Sequence, residues 1–267
     1  MGDRSEPHVD RAITPLAAAL WTMALWLLEG VALEVTEAAR AGASHDLVNL
    51  GACTVLATSA VLFAMVRVHA REVSLRSTLG VEPIGPLQIV LAAAAGAGLY
   101  PLLSTIDTRV LARWPYSESE TEDLTALLSM PSLHARLVFV IVGSVVMPVA
   151  RELYYRGIVF GGLRRAAGPR VAVLATSVLS CCSLDWRAMP TAFLLGLALA
   201  RVRDRTGTVV AAIVASLAYE AVEAIRILRG GDPMADATVP TRWVVGGAVI
   251  AALALVAIGA GRQEDAE

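Results

Sequence analysis

Between Ile13 and Ala260 the chain runs through long apolar stretches separated by short polar breaks. Hydrocarbon offers a peptide group no hydrogen-bond partner, so such a stretch crosses lipid as a helix, which satisfies its backbone internally. That constraint sets the expected fold class: an all-α, polytopic integral membrane protein of about eight transmembrane helices. Composition agrees. Hydrophobic residues make up 56% of the 267 residues and charged residues 17%, against about a quarter charged in a soluble domain. The mean hydropathy is +0.63. A net charge of −2 gives no reason to expect nucleic acid as a partner; membrane lipid is the expected surrounding. Every basic residue is Arg, with no Lys, and Ala is abundant, a usage that points to a GC-rich bacterial genome.

The expected spans are Ile13–Val35, Leu47–Val68, Leu87–Ile106, Leu133–Leu163, Val171–Leu184, Met189–Ala200, Thr208–Leu228 and Trp243–Ala260. The first is read as a retained helix, with Glu29 and Glu34 near the interface at its far end. Ser74–Pro86 carries Gly and Pro punctuation and reads as a loop. Ala92–Gly98 offers a close-packing surface to a neighbouring helix. The fourth span exceeds what a bilayer needs. The fifth and sixth fall short of the roughly 20 residues of a spanning helix, as suits helices buried among others, with Asp185-Trp186-Arg187 as their hinge. For the acidic run Ser117–Asp123, a solvated loop is the simpler reading and a capped helix through Leu127 the alternative.

Residues 1–267 read as one membrane domain: N-terminal helices over 1–132, a core over 133–228, and a last helix and tail over 229–267. There is no internal repeat, which disfavours a transporter built from two halves. Placing the N-terminus inside collects Arg4, Arg11, Arg67, Arg71, Arg76, Arg164, Arg165, Arg170, Arg201, Arg203, Arg205 and Arg262 on the cytoplasmic side. The smaller set Arg40, Arg109, Arg113, Arg187, Arg226, Arg229 and Arg242 falls outside. Both termini are therefore expected in the cytoplasm, with the chain in the cell (inner) membrane.

The chemistry concentrates in Val145–Gly157, read as the inner end of the fourth apolar run, near the cytoplasmic leaflet. Arg151, Glu152 and Arg156 lie there at membrane depth. An ionisable residue at that depth costs at least about 2.5–3.5 kcal/mol, so it pairs, lines a wet cavity or does chemistry. Metal chemistry is not expected, because His8, His45, His69 and His134 lack ligand spacing. Cys53, Cys181 and Cys182 form no disulfide framework, and no cofactor is implied.

Three segments then align: Arg151-Glu152-Leu153-Tyr154-Tyr155-Arg156-Gly157; Thr176 to Leu184; and Phe193-Leu194-Leu195-Gly196-Leu197 with Arg205-Thr206-Gly207-Thr208 and Ser216 to Glu220. Over Leu133–Leu228 their order and spacing resemble the CPBP family of intramembrane proteases, also called Abi or CAAX-prenyl-endopeptidase-like proteins. The family pattern is Glu-Glu-x-x-x-Arg-Gly, Phe-x-x-x-His, a Phe-x-x-Gly-Leu and Thr-Gly stretch, then His-x-x-x-Asn. The resemblance implies that the first Glu and first His activate a water while the second His and the Asn hold the oxyanion. Here Glu152, Arg156 and Gly157 match the motif, and Phe193, Gly196, Leu197, Thr206 and Gly207 keep the frame. The first Glu is Arg151, which stays protonated and cannot act as a base. The Phe and His positions fall on Ser180 and Leu184, and the His/Asn pair on Ser216 and Glu220.

The resemblance therefore implies a catalytically degraded family member that binds hydrophobic or lipid-modified peptide tails or a membrane-protein partner, beside an active relative. The alternative is an active intramembrane endopeptidase or C-terminal sorting enzyme using Glu152, with Cys181 or Cys182 as nucleophile. Two ion pairs are expected. One joins Arg151 to Glu220 across the former site, and the other joins Glu152 to Arg156 at i,i+4. For Arg156, contact with interfacial water is the competing reading. Tyr154 and Tyr155 are read as interface anchors, with the aromatic beside Arg156 as a possible cavity wall.

Overall fold

The computed structural model describes residues 13–69, 75–182, 185–231 and 239–264. In chain order the helices are α1 (Pro15–Ala39), α2 (Leu47–His69), α3 (Leu75–Leu79), α4 (Pro86–Arg113), α5 (Glu118–Leu128), α6 (Leu133–Ala167), α7 (Pro169–Cys181), α8 (Met189–Thr206), α9 (Val209–Leu228) and α10 (Thr241–Glu264). No strand occurs among the described residues, and the fold is a polytopic helical bundle. Five helices, α1, α2, α4, α6 and α10, are long and apolar enough to cross a bilayer. The other three of the expected eight, α7, α8 and α9, are shorter or more charged and pack among them.

Local sequence explains the punctuation. Pro opens α1, α4, α7 and α8, where its missing N–H costs nothing and its fixed φ suits a helix. Thr14 and Thr208 cap α1 and α9, each accepting a backbone N–H at 3.2 Å. Gly207 ends α8 at φ 76°, the left-handed conformation that favours Gly.

Two apolar clusters hold the bundle. One joins α1 and α2 to the second half of α6 and to α7, around Tyr154, Phe160 and Leu163. The other joins α4, α8, α9 and α10, around Ala92, Leu199, Ala211 and Ile258. In the second, the small residues expected to permit close approach do so. A Cβ on Gly96 would collide with the Ala215 carbonyl, and one on Gly98 would sit 2.7 Å from the Gly247 carbonyl.

Several sequence expectations need correction. The acidic run is a helix, not a loop: Ser117 and Glu120 close a capping box on α5, with the Ser117 N–H donating to Glu120 Oε2 at 2.7 Å. Within the expected loop 74–86, Leu75–Leu79 form a helical turn; Ser74 lies outside the described residues. Glu29 has a partner inside the bundle. It sits mid-helix in α1 and accepts a hydrogen bond from Thr54 of α2. Tyr154 and Tyr155 are buried, because their hydroxyls find partners on α1: Thr22 at 3.2 Å and the Trp26 indole N–H at 3.3 Å. Arg203 is buried rather than facing the cytoplasm, and its Nε donates to the Arg156 carbonyl at 3.0 Å. Arg4, Arg11, Arg71 and His8 lie outside the described residues.

Candidate functional site

Helix α6 contains two wide π turns, Val142–Val146 and Leu153–Val159, a feature that accompanies functional sites in many helices. The first precedes Pro148, which has no N–H to give to the ordinary acceptor one turn back. The Met147 N–H reaches five residues back to the Val142 carbonyl instead. In the second turn lie Arg156 and Gly157. A Cβ on Gly157 would meet Leu79 at 3.1 Å, so the Gly lets α3 lie against α6.

A cavity of about 290 Å³ opens between the two apolar clusters. From α6 it takes Pro148, Arg151, Glu152, Tyr155 and Arg156; from α7, Ser180; from the start of α8, Ala188, Thr191, Ala192, Leu195, Gly196 and Leu199; from α9, Ser216, Tyr219 and Glu220. The structure thus gathers Arg151, Glu152, Arg156, Ser180, Ser216 and Glu220 around one cavity, as the motif spacing implied. Leu184 lies outside the described residues. Cys181 and Cys182 do not line the cavity. Cys181 is buried with its Sγ donating to the Val178 carbonyl at 3.1 Å, and Cys182 is exposed. None of His45, His69 and His134 lines it either.

The stretch is not the inner end of an apolar run. At 1.5 Å per residue Arg151 lies about 24 Å from Ala167 and about 27 Å from Leu133, in the middle of α6. The cavity reaches Ala188 and Thr191 at the first turn of α8, and so lies toward the end of the bundle that carries Arg187.

The floor is an ion pair. Arg156 Nη1 lies 3.3 Å from Glu152 Oε1, with the two residues 2% and 4% exposed. Arg156 Nη2 donates to the Gly196 carbonyl at 3.1 Å and to Ser180 Oγ at 3.4 Å. The expected pair has formed, and the water-facing reading of Arg156 is excluded. Gly196 is needed for this reach, since a Cβ there would stand 3.0 Å from Arg156 Nη2. Arg156 therefore ties α6 to α7 and α8 through one guanidinium. Oε2 of Glu152 has no hydrogen-bond partner among the described residues.

The second expected pair has not closed. Arg151 is exposed and Glu220 half-buried; both line the cavity, but neither has an ion-pair partner within 4.0 Å among the described residues. Arg151 and Glu220 therefore share the cavity without touching, and attraction acts across space rather than through contact.

Sequence reasoning missed a surrounding layer. Thr191 donates to Asp107 of α4 at 2.6 Å. Tyr219 packs on Tyr100 with ring centroids 5.5 Å apart, and the Tyr100 hydroxyl donates to Glu223, itself held by Arg226 Nε at 2.9 Å. A stripe of one residue per turn from Ala188 through Ala192 and Gly196 to Leu199 was a usable signal for the α8 wall. At the cavity's near end, Arg187 binds Glu120 Oε2 at 3.2 Å, Asp185 Oδ2 at 3.1 Å and the Trp114 carbonyl at 3.1 Å. It also stacks on Tyr116 and Trp186. These contacts fasten α5 over the hinge. They also pull Glu120 below the ordinary carboxylate value, after the larger effect of the Ser117 N–H and hydroxyl.

Together these features define a multi-pass helical membrane protein with a charged cavity among its helices. Residues 133–222 match the family model described as Type II CAAX prenyl endopeptidase Rce1-like, which agrees with a member of the CPBP family. No curated protein and no solved structure matches the chain.

Proposed function

We propose that this protein is a catalytically degraded CPBP-family member that uses its cavity to hold a hydrophobic or lipid-modified peptide tail or a partner membrane protein, without hydrolysing it. One observation carries the reading. At the position where the family places its base stands Arg151, a permanent cation, while the neighbouring carboxylate, Glu152, is committed to Arg156 at 3.3 Å. Ser216 and Glu220 occupy the positions where the resemblance implies an oxyanion clamp, and a carboxylate repels an oxyanion instead of stabilising it. A holding role beside an active relative follows from a frame that keeps its shape without its base.

One feature favours the alternative of an active endopeptidase. Glu152 lines the cavity and its Oε2 has no hydrogen-bond partner among the described residues, and a carboxylate with a spare acceptor can orient a water. The test is cleavage of membrane-anchored and prenylated peptide substrates by the purified protein, compared with Glu152→Ala and with a Cys181→Ala/Cys182→Ala double variant. No turnover by any of them is expected. Turnover by the wild type that either variant abolishes would overturn the proposal.

The Arg distribution supports a cell (inner) membrane location with both termini cytoplasmic. In that orientation the Arg187 end of the bundle faces outward. With Cys53, Cys181 and Cys182 replaced by Ala, Asp185→Cys should then react with an impermeant maleimide on intact cells; labelling only after lysis would reverse the orientation.

A further inference from the structure

Around the cavity most charged groups already hold a protein partner. Arg156 holds one oxygen of Glu152, Thr191 donates to Asp107, and Arg226 and Tyr100 hold Glu223. Two cavity-lining charges have no ion-pair partner among the described residues: Arg151 at the exposed rim and Glu220 on the facing helix. Leaving charges unmatched at membrane depth is costly. The unmatched carboxylate and the unmatched guanidinium are moreover of opposite sign and share one space. A direct Arg151–Glu220 contact would cancel both, yet the structure holds them apart.

We infer that the cavity binds a small zwitterion, with an anionic phosphate or carboxylate on Arg151 and a primary ammonium on Glu220. A guanidinium presents a planar fork of donors that suits either anion. An ammonium has three donors, and the two Glu220 oxygens and the Ser216 hydroxyl, both residues lining the cavity, supply acceptors. Leu195 and Leu199 provide an apolar side for the methylenes between the two ends. A space of about 290 Å³ lies at the lower limit of ligand pockets, about 300 Å³. It suits an ethanolamine phosphate head group or a single amino acid. The inference rests on the cavity being a binding site and is independent of whether any hydrolysis remains.

The two sources of this chemistry are an aminophospholipid head group and a free amino acid, and the experiment separates them. The full chain is purified and exchanged into nanodiscs of phosphatidylethanolamine, phosphatidylglycerol or phosphatidylcholine. Retained lipid is then counted by native mass spectrometry. In parallel, binding of glycerophosphoethanolamine and of leucine is measured by calorimetry. A lipid source predicts retention of phosphatidylethanolamine about tenfold above the other two, the discrimination expected of one charged hydrogen-bonded contact. A free source predicts leucine binding with no lipid preference. Glu220→Gln should abolish the ethanolamine preference and leave phosphatidylglycerol retention unchanged, whereas Arg151→Gln should weaken both phospholipids alike. Equal retention of all three lipids together with no heat from either soluble probe would overturn the inference, and so would an unchanged preference in folded Glu220→Gln. If the variants do not fold, the wild-type ranking decides alone. Peptide cleavage would overturn the non-hydrolytic reading without altering that ranking.

Discussion

Replacing Arg156 by Met tests the ion pair at the cavity floor. The two charges are buried, with N and O 3.3 Å apart. Charge centres about 4 Å apart attract by about 4 kcal/mol at an effective dielectric of 20. Removing one partner of a buried pair costs about 3–5 kcal/mol, because the other is left without a counter-charge. Arg156→Met also forfeits the hydrogen bonds to Gly196 and Ser180, so the upper half of that range is expected. At about 2–4 °C per kcal/mol for a chain of this size, the melting temperature should fall on the order of 10 °C. Glu152→Gln in the same background should restore most of the loss, since a neutral amide needs no cation. The assay is thermal unfolding of the detergent-solubilised protein, read by the surviving monodisperse fraction after heating, for both single variants and the double. If Arg156→Met melts with the wild type, or if the double variant is as unstable as the sum of the singles, Arg156 is not neutralising Glu152 and the account of the floor is wrong.

Two further outcomes follow from the packing and from the outer loop. Gly96→Leu drives a side chain into the Ala215 carbonyl; overpacking costs about 1–3 kcal/mol even where side chains can yield, and here backbone must move. The variant should lose its monodisperse peak in size-exclusion chromatography, and a wild-type profile would show that α4 and α9 are not in contact. Glu120 has its folded-state value depressed below the ordinary 4.5, first by the Ser117 backbone N–H, then by the Ser117 hydroxyl and Arg187. Its contribution to α5 is therefore present above the unfolded value and lost as pH falls through the folded one. Hydrogen-exchange protection over residues 117–128, corrected for the intrinsic rate at each pH, should fall below about pH 4 in the wild type. Glu120→Gln should show no such fall in protection over that window; a wild-type fall in the variant would assign the effect to another group.

The spans were legible because each apolar run ends at a residue with its own reason to end it, such as Pro169 or Gly207. The Glu152–Arg156 pair was legible too, since i,i+4 spacing alone brings the groups together. The motif spacing brought Ser216 and Glu220 to the same cavity as Arg151. What it did not give was distance: two residues can share a cavity without touching, and Arg151 and Glu220 do. Tyr154 and Tyr155 look like interface anchors from sequence, because their partners Thr22 and Trp26 lie about 130 positions away along the chain. Arg187 was hidden for the same reason, with Glu120 and Trp114 about 70 positions earlier. The α5 helix carried its own signal, Ser117-x-x-Glu120, outweighed by the run of like charge around it.

The wide turn at Val142–Val146 has a further effect on the azimuth of α6. Ile141 and Glu152 are eleven positions apart, as are Val145 and Arg156. Eleven residues of ideal α-helix make three turns plus about 20°, which would stack each pair on one side. Yet Ile141 is 56% exposed and Val145 43%, while Glu152 and Arg156 are 4% and 2% exposed. One extra residue in the turn rotates everything beyond it by about 100°. That rotation lets one continuous rod show an apolar stripe outward in its first half and Glu152 and Arg156 to the protein interior in its second. Pro148 thereby acts as a phase shifter, and without it the charges of the cavity floor would follow Ile141 out toward hydrocarbon.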